Sequence, residues 1–184
     1  MHGDIKEVLF PADIIRERVQ TLGAEIGTEL GKEPVVVLAL LKGGVIFLAD
    51  LIRAINHPLQ LEFAWASSYG SGQESSGEVD LKVFPDEDLT SKTVIVVDDI
   101  LDTGRTLKAV CDRLQSDRKV SNIKTCVLLD KKARRAVDLD ADYVGFLVDD
   151  HFVVGYGLDY AGRYRNLPYI GILKEATYQG QQDS

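Results

Sequence analysis

The spacing of apolar residues predicts a chain in which helices and strands alternate. Between Pro11 and Leu30, apolar side chains recur every three or four residues, which is typical of a helix with one buried face. Residues 35–41 are all apolar instead, which favours a strand buried on both faces. After a break at Lys42–Gly44, a second helical pattern is predicted over 45–55.

Residues 59–66 alternate between apolar and polar side chains. The alternation predicts a strand whose buried face carries Leu59, Leu61, Phe63 and Trp65. The remaining apolar runs predict strands at 94–97, 123–129, 143–148 and 169–173, and a helix from near residue 103. Strands that alternate with helices indicate an α/β fold, with a mostly parallel central sheet covered on both faces.

Two segments of the chain lack such a pattern. The segment at about 67–78 is rich in serine and glycine, which predicts a flexible loop. This loop is either a hairpin tip without a function or a lid over a site. The polar tail at about 175–184 is expected to be disordered. The whole chain, 1–184, is expected to form a single domain.

Composition and charge narrow the class of protein. The chain has no apolar run near the roughly 20 residues of a membrane span, and its N-terminus does not resemble a secretion signal. Its two cysteines have no metal-binding spacing, so we expect buried thiols in a reducing cytoplasm. A net charge of −8 argues against a nucleic-acid binder. It does not argue against a phosphate site that uses backbone N–H groups and a metal ion.

The segment Val94–Thr106 carries the strongest chemical signal. A buried strand leads into Asp98 and Asp99, Asp102 follows, and Thr103–Thr106 begins the next helix. Ligands bind beyond the carboxyl ends of parallel strands, where carboxylates suit hydroxyls or Mg²⁺ and a helix start suits a phosphate. Arg105 could add positive charge or point into solvent. A solvated turn capped by Asp102 would explain one acid but not all three.

Val94–Thr106 resembles the motif that binds phosphoribosyl pyrophosphate (PRPP) in type I phosphoribosyltransferases. Further segments resemble the bacterial hypoxanthine-guanine phosphoribosyltransferases, in that family's order and spacing: Leu41–Gly44, Ser68–Gly70, Leu129–Lys132 and Asp150–Tyr160. The resemblance runs from about Ile5 to Leu173. It implies the type I phosphoribosyltransferase fold, a mostly parallel central sheet flanked by helices, with a small hood and a flexible lid loop.

The resemblance implies a purine-salvage transferase in the cytoplasm that needs Mg²⁺. Hypoxanthine or guanine would react with PRPP to give IMP or GMP and pyrophosphate. Asp98 and Asp99 would hold the ribose hydroxyls, partly through Mg²⁺, and Asp159 would bind a second Mg²⁺. Asp102 would exchange a proton with N7 of the purine. The residues implied in binding the phosphates of PRPP are Lys42, Gly43, Asp98, Asp99, Asp102, Thr103, Gly104, Arg105, Thr106 and Arg165.

The resemblance also implies a purine pocket and a lid. Lys131 would donate to the 6-oxo group and so select against adenine, whereas the residues alone favour a solvated run of charge at 131–135. Phe152 would stack on the base, although a lone phenylalanine is more often part of a core. Ser68 and Tyr69 would cover the pyrophosphate as a lid that excludes water. The implied purine-binding residues are Ile100, Lys131, Phe152, Val153 and Leu158.

Three further expectations complete the sequence-based interpretation. The resemblance implies that the Leu41–Lys42 peptide bond is cis. It also implies a homodimer or homotetramer, with no membrane and no nucleic acid among its partners. The alternatives are a PRPP-fold regulator that binds nucleic acid and a phosphoribosyltransferase that prefers xanthine. The acidic charge and the purine-site residues count against the first, and Lys131 does not separate xanthine from hypoxanthine.

Overall fold

The apolar pattern of the sequence corresponds to a regular order of strands and helices in the structure, a computed structural model. It describes residues 2–68, 79–83, 85, 87–117 and 120–179. The elements in chain order are β1 (Ile5–Phe10), α1 (Ala12–Glu29), β2 (Val35–Leu41), α2 (Val45–Ala54), β3 (Gln60–Ser68), β4 (Val79–Val83), β5 (Thr93–Leu101), α3 (Arg105–Asp117), β6 (Asn122–Asp130), β7 (Tyr143–Leu147), β8 (Val153–Val154), β9 (Ile170–Leu173) and α4 (Glu175–Gln179).

Six strands form the central sheet, in the order β4-β3-β2-β5-β6-β7. β4 runs antiparallel to β3, and the other strand pairs are parallel. The two most continuous apolar runs lie side by side in the middle, where β2 pairs with β5 from Val35 opposite Thr93 to Ala39 opposite Val97. A strand covered on both faces needs no polar alternation. The arrangement confirms the predicted α/β fold with a mostly parallel sheet.

Helices cover both faces of this sheet. On one face, α1 and α2 bury their apolar side chains against alternate residues of β2 and β5, such as Val37 and Ile95. On the other face, α3 packs against the intervening residues, such as Val36 and Val96. The buried residues of the three helices are Ile15, Val19, Leu22, Ile26, Phe47, Leu48, Leu51, Leu107, Val110 and Leu114.

A second, smaller sheet forms the predicted hood. Its strands β1, β9 and β8 are antiparallel and lie in that order. Ile5, Val154, Tyr164 and Leu173 form a small apolar core of its own. Val153, Tyr156 and Leu158 contribute buried side chains to the main core instead, so this stretch of chain connects the hood to the central sheet.

The strand that carries the acidic motif is longer than its apolar run predicted. β5 continues through Asp98 and Asp99 to Leu101 because β6 still pairs with it there, with Ile100 opposite Leu129. The pairing with β2 ends at Val97. The two acids therefore lie on the strand itself, at the point where one of its neighbours has ended. α3 begins at Arg105, two residues later than the predicted start.

The predicted buried face of β3 is wrong in its second half. Phe63 and Trp65 are 37% and 39% exposed, whereas Ala64 is buried on the other face, in the core formed with α3. α2 covers the neighbouring strand β2 but leaves this end of β3 partly open. The Lys42 ammonium lies 5.2 Å from the centroid of the Trp65 ring.

The two segments without a pattern are described only in part. Ser68, predicted to belong to the flexible loop, ends β3 and pairs with Val79 through its backbone, whereas residues 69–78, including Tyr69, lie outside the described residues. The start of the expected disordered tail is helical instead, as α4. Residues 180–184 lie outside the described residues. None of the helices in the described part of the chain has the length and apolar character that crossing a membrane requires.

Candidate active site

Asp98 and Asp99 crowd two carboxyl groups onto the end of β5. The backbone N–H of Asp99 donates to the Asp98 carboxylate at 2.9 Å. Burial raises the pKa of Asp98 well above its usual value, and the neighbouring Asp99 charge raises it further. Burial also raises the pKa of Asp99, against the opposing effects of its hydrogen bonds and of the Arg165 charge. Two adjacent half-buried acids whose charged forms are disfavoured by burial form a natural ligand for a cation or for hydroxyl groups.

Residues 102–104, 106 and 107 line a cavity of about 260 Å³ together with both acids. Gly104 has φ +80°, and a Cβ there would lie 2.8 Å from a Val137 methyl group, so the turn needs glycine. The Lys108 N–H donates to the Gly104 carbonyl and closes the first turn of α3, which leaves the N–H groups of Thr106 and Leu107 without an intrahelical partner. The Arg105 side chain is exposed and does not line this cavity.

Asp102 presents an unsatisfied oxygen at this cavity. Its Oδ1 is the buried side-chain polar atom that lacks a hydrogen-bond partner among the described residues. The other oxygen, Oδ2, lies 3.4 Å from an Arg134 nitrogen. A buried acceptor without a partner is unfavourable in a folded protein, and such atoms cluster where a ligand completes the site. Asp102 is therefore ready to bond with a group that the protein itself does not supply.

Glycines allow three backbone segments to touch at the edge of the cavity. The Leu41–Lys42 peptide bond is cis, as predicted. A side chain on Gly43 would overlap the Asp99 carboxylate, and one on Gly157, which has φ +103°, would overlap the Gly43 carbonyl oxygen. The loop after β2, the acids of β5 and the turn after β8 are thus in direct contact.

Arg165 and Asp159 meet in the chain that follows this turn. An Arg165 nitrogen lies 2.6 Å from Asp159 Oδ1, and another donates to the Gly157 carbonyl at 2.6 Å. The second Asp159 oxygen accepts from the Gly162 N–H at 2.8 Å. Both oxygens of Asp159 are thus engaged. Within the described part of the chain, no group of three or more His, Cys, Asp or Glu side chains is arranged to hold a metal ion.

Lys131 is buried, contrary to the solvated run of charge that residues 131–135 alone favoured. Its ammonium nitrogen lies 2.7 Å from Asp150 Oδ1 and donates to the His151 carbonyl at 3.1 Å. Its backbone N–H donates to the Leu101 carbonyl at 3.0 Å. This last bond joins two groups of residues that we name after the roles that the family resemblance implies. The base side is Lys131 and residues 150–158, and the phosphate side is residues 98–106.

Phe152 is not a core residue, since it is 39% exposed. Tyr178 of α4 stacks on the Phe152 ring, with centroids 4.9 Å apart and planes at 20°, and the edge of Tyr160 meets it at 5.5 Å. Both tyrosines pack against the apolar core of the hood. Val153 and Leu158 are buried, and Ile100 is half-buried next to the acids of β5.

Arg135 connects the turn after β5 to the end of β6 and was missed by sequence reasoning. Its guanidinium forms an ion pair with the buried Asp130 at the end of β6 and also donates to the Leu139 carbonyl. It donates to the Asp102 carbonyl at 3.1 Å and to the Leu101 carbonyl at 3.3 Å. Nothing in the local sequence separates Arg135 from its exposed neighbours Lys132 and Arg134, because the partners Leu101 and Asp102 are more than 30 residues away along the chain.

A family model described as a phosphoribosyl transferase domain matches residues 11–161. This range contains the phosphate side and all of the base side. The chain belongs to the phosphoribosyltransferase family.

Two curated proteins are similar to this phosphoribosyltransferase over nearly its whole length. It is 45% identical over 178 residues to a hypoxanthine-guanine phosphoribosyltransferase of Staphylococcus aureus, an alignment that covers 97% of this chain and 99% of the relative. It is 48% identical over 179 residues to a bifunctional protein TilS/HprT of Listeria monocytogenes, and it spans only 27% of that longer protein.

Solved structures agree with the fold of this phosphoribosyltransferase. A hypoxanthine phosphoribosyltransferase of Staphylococcus aureus superposes with a TM-score of 0.92 at 45% identity, and the match covers 97% of this chain and 96% of the other. A hypoxanthine phosphoribosyltransferase of Trypanosoma cruzi, solved with the product IMP, gives 0.91 at 34% identity and covers 100% and 99% of the two chains. The type I phosphoribosyltransferase fold implied by the sequence motifs is confirmed.

Proposed function

We propose that this phosphoribosyltransferase converts hypoxanthine or guanine, together with PRPP, into IMP or GMP and pyrophosphate in purine salvage. The observation that carries the proposal is the buried ammonium of Lys131, bonded to the His151 carbonyl, together with the partly exposed ring of the next residue, Phe152. A buried cation with a free direction favours a ligand acceptor such as the 6-oxo group, and an exposed ring favours stacking with a flat base. Val153, Leu158 and Ile100 would complete the pocket as apolar walls and through backbone contacts.

The phosphate side would bind PRPP. The backbone N–H groups and hydroxyls of Thr103–Thr106 would hold the 5′-phosphate, an assignment that the uncapped start of α3 supports. Because the Arg105 side chain is exposed, its part would fall to the backbone. Asp98 and Asp99 would hold the ribose hydroxyls. The backbone at Lys42 and Gly43 would meet the pyrophosphate, and Arg165 would reach it by leaving Asp159.

Asp102 would exchange a proton with N7 of the purine as the bond between N9 and C1′ forms. Its unsatisfied Oδ1 supports this role, because a protonated N7 would supply the missing hydrogen-bond donor. General acid–base groups of this kind contribute roughly 10²–10⁴-fold to a rate. Ser68 and Tyr69 would close over the site and exclude water from an oxocarbenium-like centre.

Mg²⁺ fits the donors on the phosphate side. The ion prefers oxygen ligands, and Asp98 and Asp99 offer adjacent carboxylates whose charged forms burial disfavours and a cation would stabilise. Bound there, it would neutralise charge on the pyrophosphate leaving group. Asp159 would hold a second ion only after its oxygens lose their contacts with Arg165 and with the Gly162 N–H.

The proposal also includes the assembly and the location of the protein, a homodimer or homotetramer in the cytoplasm.

A product assay with four bases tests the proposal. The purified protein is incubated with PRPP, Mg²⁺ and hypoxanthine, guanine, xanthine or adenine in turn, and the nucleotides are separated. We expect IMP and GMP to form quickly and AMP not to form, while the xanthine reaction shows how broad the selectivity is. Omission of Mg²⁺ is expected to abolish product formation. If PRPP binds but no base yields a nucleotide, the proposal fails and a nucleic-acid-binding regulator becomes the better interpretation.

A further inference from the structure

Both ends of the Lys131 side chain are fixed by contacts within the protein. Its backbone N–H donates to the Leu101 carbonyl, and its ammonium lies between the Asp150 carboxylate and the His151 carbonyl. Only 7% of the side chain is exposed. The lysine side chain is long and flexible, and its ammonium is held in place by these two partners.

The two partners leave one direction for a ligand. An ammonium carries three N–H donors and has no acceptor. One donor points to Asp150 at 2.7 Å and one to the His151 carbonyl at 3.1 Å. Because the nitrogen is tetrahedral, these two bonds fix the direction of the third donor. Without Asp150, the ammonium would keep only its hydrogen bond to the His151 carbonyl. It could then rotate about that bond and direct its other donors elsewhere.

The direction of this third donor bears on which purine the site accepts. An ammonium has donors only, so it bonds with a 6-oxo group but meets a second donor at the 6-amino group of adenine. By holding the ammonium at 2.7 Å, Asp150 therefore helps to direct the donor that distinguishes the two groups.

The same short loop supplies the stacking ring. Asp150, His151 and Phe152 are consecutive, so the two contacts of the ammonium and the partly exposed ring are joined by two peptide bonds. The Asp150 side chain is 59% exposed, and ion pairs of that exposure contribute little to stability. Its position is thus suited to orienting Lys131 rather than to holding the fold together.

We propose that Asp150 is a positioning residue that fixes the direction of the Lys131 ammonium and thereby determines the preference for 6-oxopurines over 6-aminopurines. The inference rests on the proposed function, since it assigns Lys131 to the purine. It adds a selectivity determinant that does not itself contact the base.

Steady-state kinetics of Asp150→Asn test this role, with Asp149→Asn as the matched control. Both variants remove one negative charge from adjacent exposed positions, but no contact joins the Asp149 side chain to Lys131. For Asp150→Asn we expect the KM for hypoxanthine to rise about tenfold, the size of one charge-assisted hydrogen bond. The kcat and the KM for PRPP should stay within about twofold of the wild type. Asp149→Asn should behave like the wild type.

Selectivity and rescue complete the experiment. The ratio of kcat/KM for hypoxanthine to that for adenine should fall about tenfold in Asp150→Asn, and Asp150→Glu should recover most of the loss. The proposal is wrong if Asp150→Asn matches Asp149→Asn in the KM for hypoxanthine, or if only its melting temperature changes. A wild-type protein that makes no nucleotide would overturn the proposed function as well, so the two failures are distinguishable.

Discussion

The phosphate side and the base side of the site are built in different ways. The phosphate side is one continuous segment, in which a strand, a turn that needs Gly104 and a helix start follow one another within residues 98–106. The base side joins Lys131, which follows β6, to the loop that precedes β8, and α4 supports it through the stacked ring of Tyr178. Local backbone geometry shapes the first, whereas contacts between side chains distant in sequence shape the second.

This difference predicts which property of the enzyme each kind of substitution should change. On the phosphate side, a strand and a helix hold the backbone N–H groups and the adjacent carboxylates. Substitution of one functional side chain there should leave the backbone geometry intact and remove only the chemical role of that side chain. On the base side, each contacting group depends on a neighbour for its direction, so changes should appear mainly in the KM for the base.

The largest effect is expected for Asp102→Asn. The amide cannot exchange a proton with N7 of the base, so kcat should fall by about 10²-fold or more. The dissociation constant of PRPP, measured by calorimetry, should change little because the backbone around residue 102 is unaltered. Asp138→Asn, an exposed acid nearby, serves as the control for charge. Equal turnover in Asp102→Asn and Asp138→Asn would remove the proton-transfer role.

Arg135→Leu should be the most destabilising of the substitutions. It leaves the Asp130 carboxylate, 3% exposed, without its cation, and breaking a buried ion pair typically costs about 3–5 kcal/mol. The free energy of unfolding in urea measures the loss. The double variant Asp130→Asn/Arg135→Leu should recover much of it. A loss below about 1 kcal/mol would mean that the pair is worth no more than a surface ion pair.

Lys131→Ala should raise the KM for hypoxanthine by roughly 10–100-fold, the range for losing a hydrogen bond from a charged donor. The KM for PRPP should stay close to that of the wild type, because Lys131 belongs to the base side. Lys132→Ala, its exposed neighbour, is the control. An unchanged KM for hypoxanthine would contradict the selectivity argument, and an equal loss for PRPP would contradict the division between the two sides.

The smallest effect is expected for Tyr178→Leu. A stacked aromatic pair contributes about 0.5–1.5 kcal/mol, so the KM for the base should rise about two- to tenfold as Phe152 loses its supporting ring. Tyr178→Phe keeps the ring and should behave like the wild type. If Tyr178→Leu lowers the KM instead, the tyrosine covers the face of Phe152 that the base needs.

Local pattern predicted the framework of this protein well. The run at 35–41 became β2 with those limits, and the helix predicted over 11–30 spans Ala12–Glu29, because both depend on the apolar period along the chain. The exposed end of β3 was not predictable, since the burial of Phe63 and Trp65 depends on how far α2 extends over the sheet. Periodicity reports which residues share a face but not what covers that face.

The site divides along the same line. The acids and the helix start of the phosphate side could be read from one segment because strand, turn and helix follow each other in sequence. The burial of Lys131 and its contact with Asp150 could not, since they require β6 and the loop before β8 to meet in space. On the base side, the role of Lys131 came from the resemblance to a known family, because the residues alone favoured a solvated run of charge.

The contact of Gly43 with Asp99 and with Gly157 has a consequence for protein engineering. Since no side chain separates the backbones of Gly43 and Gly157, the loop after β2 and the turn after β8 fit only as a matched pair. Transplanting either one alone from a homologue, or inserting a residue into it, is expected to displace the Asp99 carboxylate that lies against Gly43. Libraries aimed at new base selectivity should therefore keep both glycines fixed and vary the walls of the purine pocket instead.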